Sequence, residues 1–142
     1  MAKLKVSRTG ESKQSITPSQ EKGYAIKGRV WVEKDGELYL GGGRIILLER
    51  LDKMGSISAA ARSMGLGYRN AWLWIDSMNR LAPSPLVEKA AGGSGGGYAR
   101  LTKAGHTAVA LYRKLHSRME KIIEDESPYS TGDGEKPNSS SR

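Results

Sequence analysis

The chain contains no cysteine, which excludes disulfides, thiolate zinc sites and cysteine nucleophiles. Histidine is nearly as scarce. His106 and His116 stand on different turns of one helical stretch with no acidic or histidine partner at ligand spacing, so no metal site is expected. No apolar run approaches the roughly 18 residues of a membrane span, and the polar start MAKLKVSRTGESKQS lacks the core of a signal peptide. A soluble, cytoplasmic protein with no membrane partner is the expectation. Catalytic groupings are also missing: Ser56 and Ser58 have no histidine in their segment, and Asp52 and Asp76 fall on separate helical stretches. Neither an enzyme nor a cofactor is expected.

Acidic residues are the minority charge, 15 Asp and Glu against 23 Lys and Arg, giving a net charge of +8 and a pI near 9.8. That balance favours an anionic partner, nucleic acid before others, with an inert basic surface as the plain alternative. A length of 142 residues and 37% hydrophobic content suit one small domain with tails. The charge is uneven. Residues 1–27 carry +4, residues 28–124 carry +6 and residues 125–142 carry −2. The last stretch has almost nothing apolar beyond Tyr129 and is expected to be disordered. The first is expected to be a flexible basic arm, either touching phosphate or simply solvated.

Between these tails the pattern reads as alternating hairpins and helices. In GRVWVEKDGELYLGG, Val30 and Val32 alternate with Trp31 and Glu33, Asp35 and Gly36 supply a hairpin turn, and Leu38 and Leu40 resume. A first helix follows from Ile45, Leu48 and Leu51, closed by Gly55. Ser58 is a fitting N-cap for a short helix from Ala59 to Met64, with Gly65 at its end. After Leu66 and Gly67, apolar residues return at Ala71, Ile75, Met78 and Leu81. Two helices so close together make a helix-turn-helix, although any αα-hairpin fits the same spacing. Trp72 and Trp74 cannot both join the narrow stripe of Ala71 and Ile75, so one is expected beneath the following hairpin and the other at a helix edge.

Pro83 and Pro85 stop the second helix; Leu86 to Ala90 then has strand character, and Tyr98 to Leu101 makes a return strand. Thr102 can cap a final helix whose stripe of Ala104, Ala108, Leu111, Tyr112, Leu115, Met119 and Ile122 either seeks a partner helix or packs on its own domain. The glycine-rich join, GGSGGGYARLTKAG, admits three uses. As a phosphate loop it fails, because Lys103 follows Thr102 and precedes Ala104. As a dinucleotide fingerprint it also fails, because counting from Gly93 or Gly95 the last glycine position holds Tyr98 or Arg100. An inert linker does not suit strand-like flanks that carry Lys89 and Arg100. A bare hairpin tip, whose amides can approach phosphate, fits best.

The run from Arg44 to Tyr112 resembles the DNA-binding domain of ModE-type molybdate-responsive transcription regulators, which are related in this domain to LysR-type regulators. The matching pieces are GRIILLERLDKMGSIS, AAARSMGLGYRNAW, SMNRL, LVEKAAGGSGGGYARLT and the tyrosine of LYRKL. The resemblance covers about half the chain. It implies a mainly α fold with small β hairpins (α+β), a winged helix-turn-helix with a long C-terminal dimerisation helix. Residues 1–27 would be the arm, 28–124 the domain and 125–142 the tail. The implied activity is sequence-specific regulation of transcription by a dimer, with the helix near 68–81 in the major groove and the glycine wing 91–97 on the flanking backbone.

The candidate DNA-binding residues are Ser56, Ser58, Tyr68, Arg69, Asn70, Lys89, Ser94, Gly95 and Arg100. Arg69 suits bidentate contact with guanine and Asn70 with adenine, while Tyr68 suits phosphate or a thymine methyl. Leu111, Leu115, Met119 and Ile122 are the candidate dimerisation residues. Expected partners are double-stranded DNA, a second copy and a separate effector-binding protein. Two departures stand out. ModE regulators carry molybdate-binding domains after the last helix, so this chain is not expected to bind molybdate in that way. The family favours serine where Gly67 stands, which removes a capping hydroxyl and a phosphate contact. A competing reading is a winged-helix module for protein or RNA. Residues 56–103 hold Arg62, Arg69, Arg80, Lys89, Arg100 and Lys103 against Asp76 and Glu88, a balance that favours DNA.

Overall fold

The computed structural model of the protein describes residues 23–90 and 98–128. The glycine tip 91–97, most of the basic arm and the stretch beyond 128 lie outside the described residues. The chain divides into two units, residues 28–120 and the flanking segments 1–27 with 121–142. The first unit carries the fold.

Strands β1 (Val32–Lys34) and β2 (Glu37–Leu40) pair antiparallel with Lys34 opposite Glu37. Asp35 and Gly36 form the two-residue turn between them at φ 52° and 83°, the left-handed pair that matches the twist of a tight hairpin. Helix α1 (Gly42–Met54) starts ahead of the expected apolar run and buries Ile45, Leu47, Leu48 and Leu51. Its end is set by Gly55, whose φ of 70° lets its N–H return to the Leu51 carbonyl at 2.8 Å.

Helix α2 (Ile57–Ser63) is capped by Ser56, whose hydroxyl accepts from the Ala59 N–H at 3.1 Å. This corrects the expectation that Ser58 is the cap. Ile57 is fully buried and must already be helical to reach the core, which draws Ser58 into the first turn. Ala60 and Ala61 are buried as well, and such small side chains let α3 (Tyr68–Leu81) cross closely. Ala71, Ile75 and Met78 form the buried face of α3.

The second hairpin joins β3 (Val87–Ala90) and β4 (Tyr98–Leu101), with Val87 opposite Leu101 and Glu88 opposite Arg100. Leu86, expected in the strand, is instead a buried anchor just before it. β4 lies against α1, and the Ala99 N–H bonds to the Gly55 carbonyl at 3.1 Å. Helix α4 (Lys103–Glu126) is capped by Thr102, whose hydroxyl accepts from the Gly105 N–H at 3.0 Å. It runs two residues past the expected boundary at 124.

The apolar stripe of α4 divides. Gly105, Ala108 and Tyr112 face the core, and the Tyr112 hydroxyl donates to the Val30 carbonyl at 2.9 Å. Leu111 and Leu115 stay exposed. Gly105 is required by contact: a Cβ there would collide with the Leu86 carbonyl oxygen. The two tryptophans separate as expected, Trp72 lying under Lys89 of β3 and Trp74 against Gly43 and Arg44 of α1.

Candidate nucleic-acid interface

Helix α3 presents Tyr68, Arg69, Asn70, Leu73, Asp76 and Arg80 to solvent, the face opposite Ala71, Ile75 and Met78. Gly67 precedes it in extended conformation and offers no side-chain cap, so the first amides of α3 remain open at the surface. Among the described residues, Arg69 and Asn70 have no hydrogen bond or ion pair through their side chains. Tyr68 meets Trp72 edge-on, ring centroids 6.3 Å apart. Ser56 and Ser58 are half-buried at the start of α2, with the Ser56 oxygen engaged as the cap.

The remaining charges on this side are committed to neighbours. Asp76 pairs with Lys89, whose ammonium also lies 4.0 Å from the Trp72 ring centroid, a cation–π contact that fixes the wing strand to α3. Arg80 reaches back to Glu37 on the first hairpin at 2.6 Å. The hydrogen bond from Arg80 is the main cause that holds the Glu37 carboxyl below the ordinary carboxylate range. Arg100 meets Glu88 directly across the second hairpin at 3.3 Å. Lys89 is opposite Ala99, so Lys89 and Arg100, both candidate DNA contacts, occupy opposite faces of the hairpin. Ser94 and Gly95 fall outside the described residues.

Two positioning residues escape any sequence pattern. Arg44 Nη1 donates to the carbonyls of Leu38 and Tyr39 and to the Ser77 hydroxyl, joining α1, the first hairpin and α3. Partial burial lowers its pKa without threatening its charge. Asn79 accepts from the Leu86 and Val87 N–H groups at 2.8 and 3.1 Å and donates to the Val87 carbonyl at 3.1 Å. It fastens the root of the second hairpin to α3. Asn79 lies in the run SMNRL, but nothing in the sequence indicates this bond set.

On α4, Leu111, Leu115 and Ile122 are 48%, 37% and 61% exposed, and Met119 is half-buried. Arg113 grips Glu49 of α1 through two bonds of 2.7 and 2.8 Å, which lower the Glu49 pKa and fix which side of α4 faces inward. Both histidines do have carboxylates nearby, contrary to expectation: His106 lies 3.7 Å from Asp52, brought by α1, and His116 lies 3.8 Å from Glu120 one turn on. Among the described residues no three potential ligands gather into a metal cluster, and no helix is long and apolar enough to cross a membrane.

A short helix, a tight turn, a second helix with an open polar face and a following hairpin define a winged helix-turn-helix domain. No family model matches the chain. It is 42% identical over 96 residues to the molybdenum transport protein ModE of Azotobacter vinelandii, covering 68% of this chain and 36% of that protein. It is 40% identical over 92 residues to the molybdenum-pterin-binding protein MopA of Rhodobacter capsulatus, 65% of this chain and 35% of that one. The DNA-binding transcriptional dual regulator ModE of Escherichia coli (strain K12) is 42% identical over 81 residues, 57% of this chain and 31% of the regulator. Over the shared stretch, the chain is similar to the ModE-type regulators. It spans about a third of the length of the curated relatives it matches.

Proposed function

We propose that the chain is a DNA-binding transcription regulator that acts as a homodimer. In this reading α3 enters the major groove, the β3–β4 hairpin lies along the flanking backbone, and α4 pairs two copies. The observation that carries it is the state of the α3 face: Arg69 and Asn70 project unpaired from the first turn, while Asp76 and Arg80 further along are neutralised by Lys89 and Glu37. The first turn of a groove-inserted helix is where base edges are read. The names of the relatives, transcriptional regulators among them, point the same way. For pairing, Leu111 lines a groove of about 520 Å³ with Tyr39, Pro83 and Ala104, and Leu115 is exposed one turn further along α4. Two recognition helices about 34 Å apart would then meet successive major grooves.

The test is selection of bound fragments from random duplex DNA, followed by salt titration on the selected site and on random duplex. Arg69→Ala should cost about 1–3 kcal/mol on the selected site and much less on random DNA, because only the matched site supplies the bidentate acceptor. Arg100→Ala should weaken both DNAs alike and reduce the salt slope by about one unit per half-site. If no sequence is enriched, the chain is not an operator-binding regulator, and a protein- or RNA-binding module becomes the better reading.

A further inference from the structure

We infer that Leu73 is a specificity-determining residue that reads the 5-methyl group of a thymine. The inference rests on the DNA-binding reading above and adds a residue and a base to it. Leu73 sits one helical turn beyond Arg69 on the outward face of α3 and is 50% exposed. A lone exposed leucine is ordinary on a protein surface. The surroundings of this one are not. Arg69 and Asn70, the residues four and three positions before it, have no partners of their own, whereas Asp76 is held by Lys89 and Ser77 takes the Arg44 guanidinium. The face therefore offers three groups free to meet a ligand in a row: a guanidinium, a carboxamide and an isobutyl group.

Each matches something different in the major groove. Guanidinium and carboxamide fit the hydrogen-bonding edges of guanine and adenine, and the apolar feature displayed there is the thymine methyl. Indole and phenol are already packed together at Trp72 and Tyr68, which leaves Leu73 as the aliphatic group on this face of α3. The rise of 1.5 Å per residue puts it about 6 Å along the helix from Arg69, so the thymine should lie about one or two base pairs from the base that Arg69 contacts.

The experiment replaces each thymine of the selected site by deoxyuridine, which removes the methyl and keeps every hydrogen-bonding group. Affinity of the full chain is measured for wild type and Leu73→Ala. In the wild type, one substitution per half-site, about one or two base pairs from the Arg69 base, should weaken binding about fourfold, the value of one buried methyl. In Leu73→Ala that same substitution should change affinity by less than about twofold, while affinity for random duplex and the salt slope stay at wild-type values. Leu73 is half-exposed, and a thermal melt of the variant checks that its fold is intact. Enrichment of a sequence in which no thymine is methyl-sensitive overturns the role of Leu73 and leaves the DNA-binding reading standing. So does a methyl sensitivity that Leu73→Ala retains in full. Failure to enrich any sequence overturns both.

Discussion

Replacing Asn79 by alanine isolates the link between α3 and the second hairpin. The substitution removes three hydrogen bonds at once, stranding the N–H groups of Leu86 and Val87 and the Val87 carbonyl. Both residues are only 2% exposed, so water reaches these groups poorly. A net value of about 1 kcal/mol per bond gives about 3 kcal/mol in all, and a stranded buried group can cost about 1–3 kcal/mol by itself. The lower sum is the better expectation, because Asn79 is half-buried and the vacated space can admit a bridging water. For a domain of this size the loss corresponds to about 12–24 °C in Tm. Equilibrium urea unfolding followed by tryptophan fluorescence measures it, since Trp72 and Trp74 lie on the same helix as Asn79. Asn79→Asp keeps the accepting oxygen and loses only the donor to Val87, so it should fall between, near 1 kcal/mol. An Asn79→Ala variant within about 0.5 kcal/mol of wild type, the range of an ordinary surface change, would refute the staple.

Two further outcomes follow from the packing of α4. Gly105→Ala should destabilise by about 1–3 kcal/mol despite the better helix propensity of alanine, because the new Cβ meets a backbone oxygen that Thr102 also holds; a Gly105→Ala protein as stable as wild type in the same urea titration would show that α4 can lift from β3 freely. Charges placed on the outer stripe, as Leu115→Lys with Met119→Lys, should give monomers by sedimentation with the fold intact. Unmodified protein that is monomeric at micromolar concentration would defeat the pairing of α4.

Much of the fold was legible because short-range rules decide it. The spacing of Ala71, Ile75 and Met78 defined α3 from its own apolar face, and Asp35 with Gly36 could hardly be other than a tight turn. Ser56 and Ser58 show where such rules run out. Both serines satisfy the capping pattern, and the choice is made by the burial of Ile57, a tertiary fact. Asn79 bonds residues seven and eight positions ahead, an interval with no periodic signature. The neighbours of the two histidines differ in kind: Asp52 reaches His106 from a distant helix, whereas Glu120, four residues after His116, is a helical neighbour that the sequence already places there.

The same long-range pairing changes what the basic charge means. Six cations against two carboxylates over residues 56–103 suggest a strongly positive surface. In the folded chain, Lys89 faces Asp76, Arg100 faces Glu88, and Arg80 is taken by Glu37 from outside that stretch. Among the described residues, Arg62, Arg69 and Lys103 are the cations of the six with no carboxylate within 4.0 Å. Exposed pairs contribute only about 0–1 kcal/mol, so a phosphate can displace a carboxylate where both partners are open to solvent, as Arg100 and Glu88 are at 64% and 59%. Lys89, at 25% and held over an indole, gives up its partner less readily. Arg100 is accordingly suited to exchange onto the backbone and Lys89 to hold the hairpin at a fixed angle to α3. A charge sum treats these two lysine and arginine side chains as equivalent; their positions on opposite faces of one hairpin give them separate tasks.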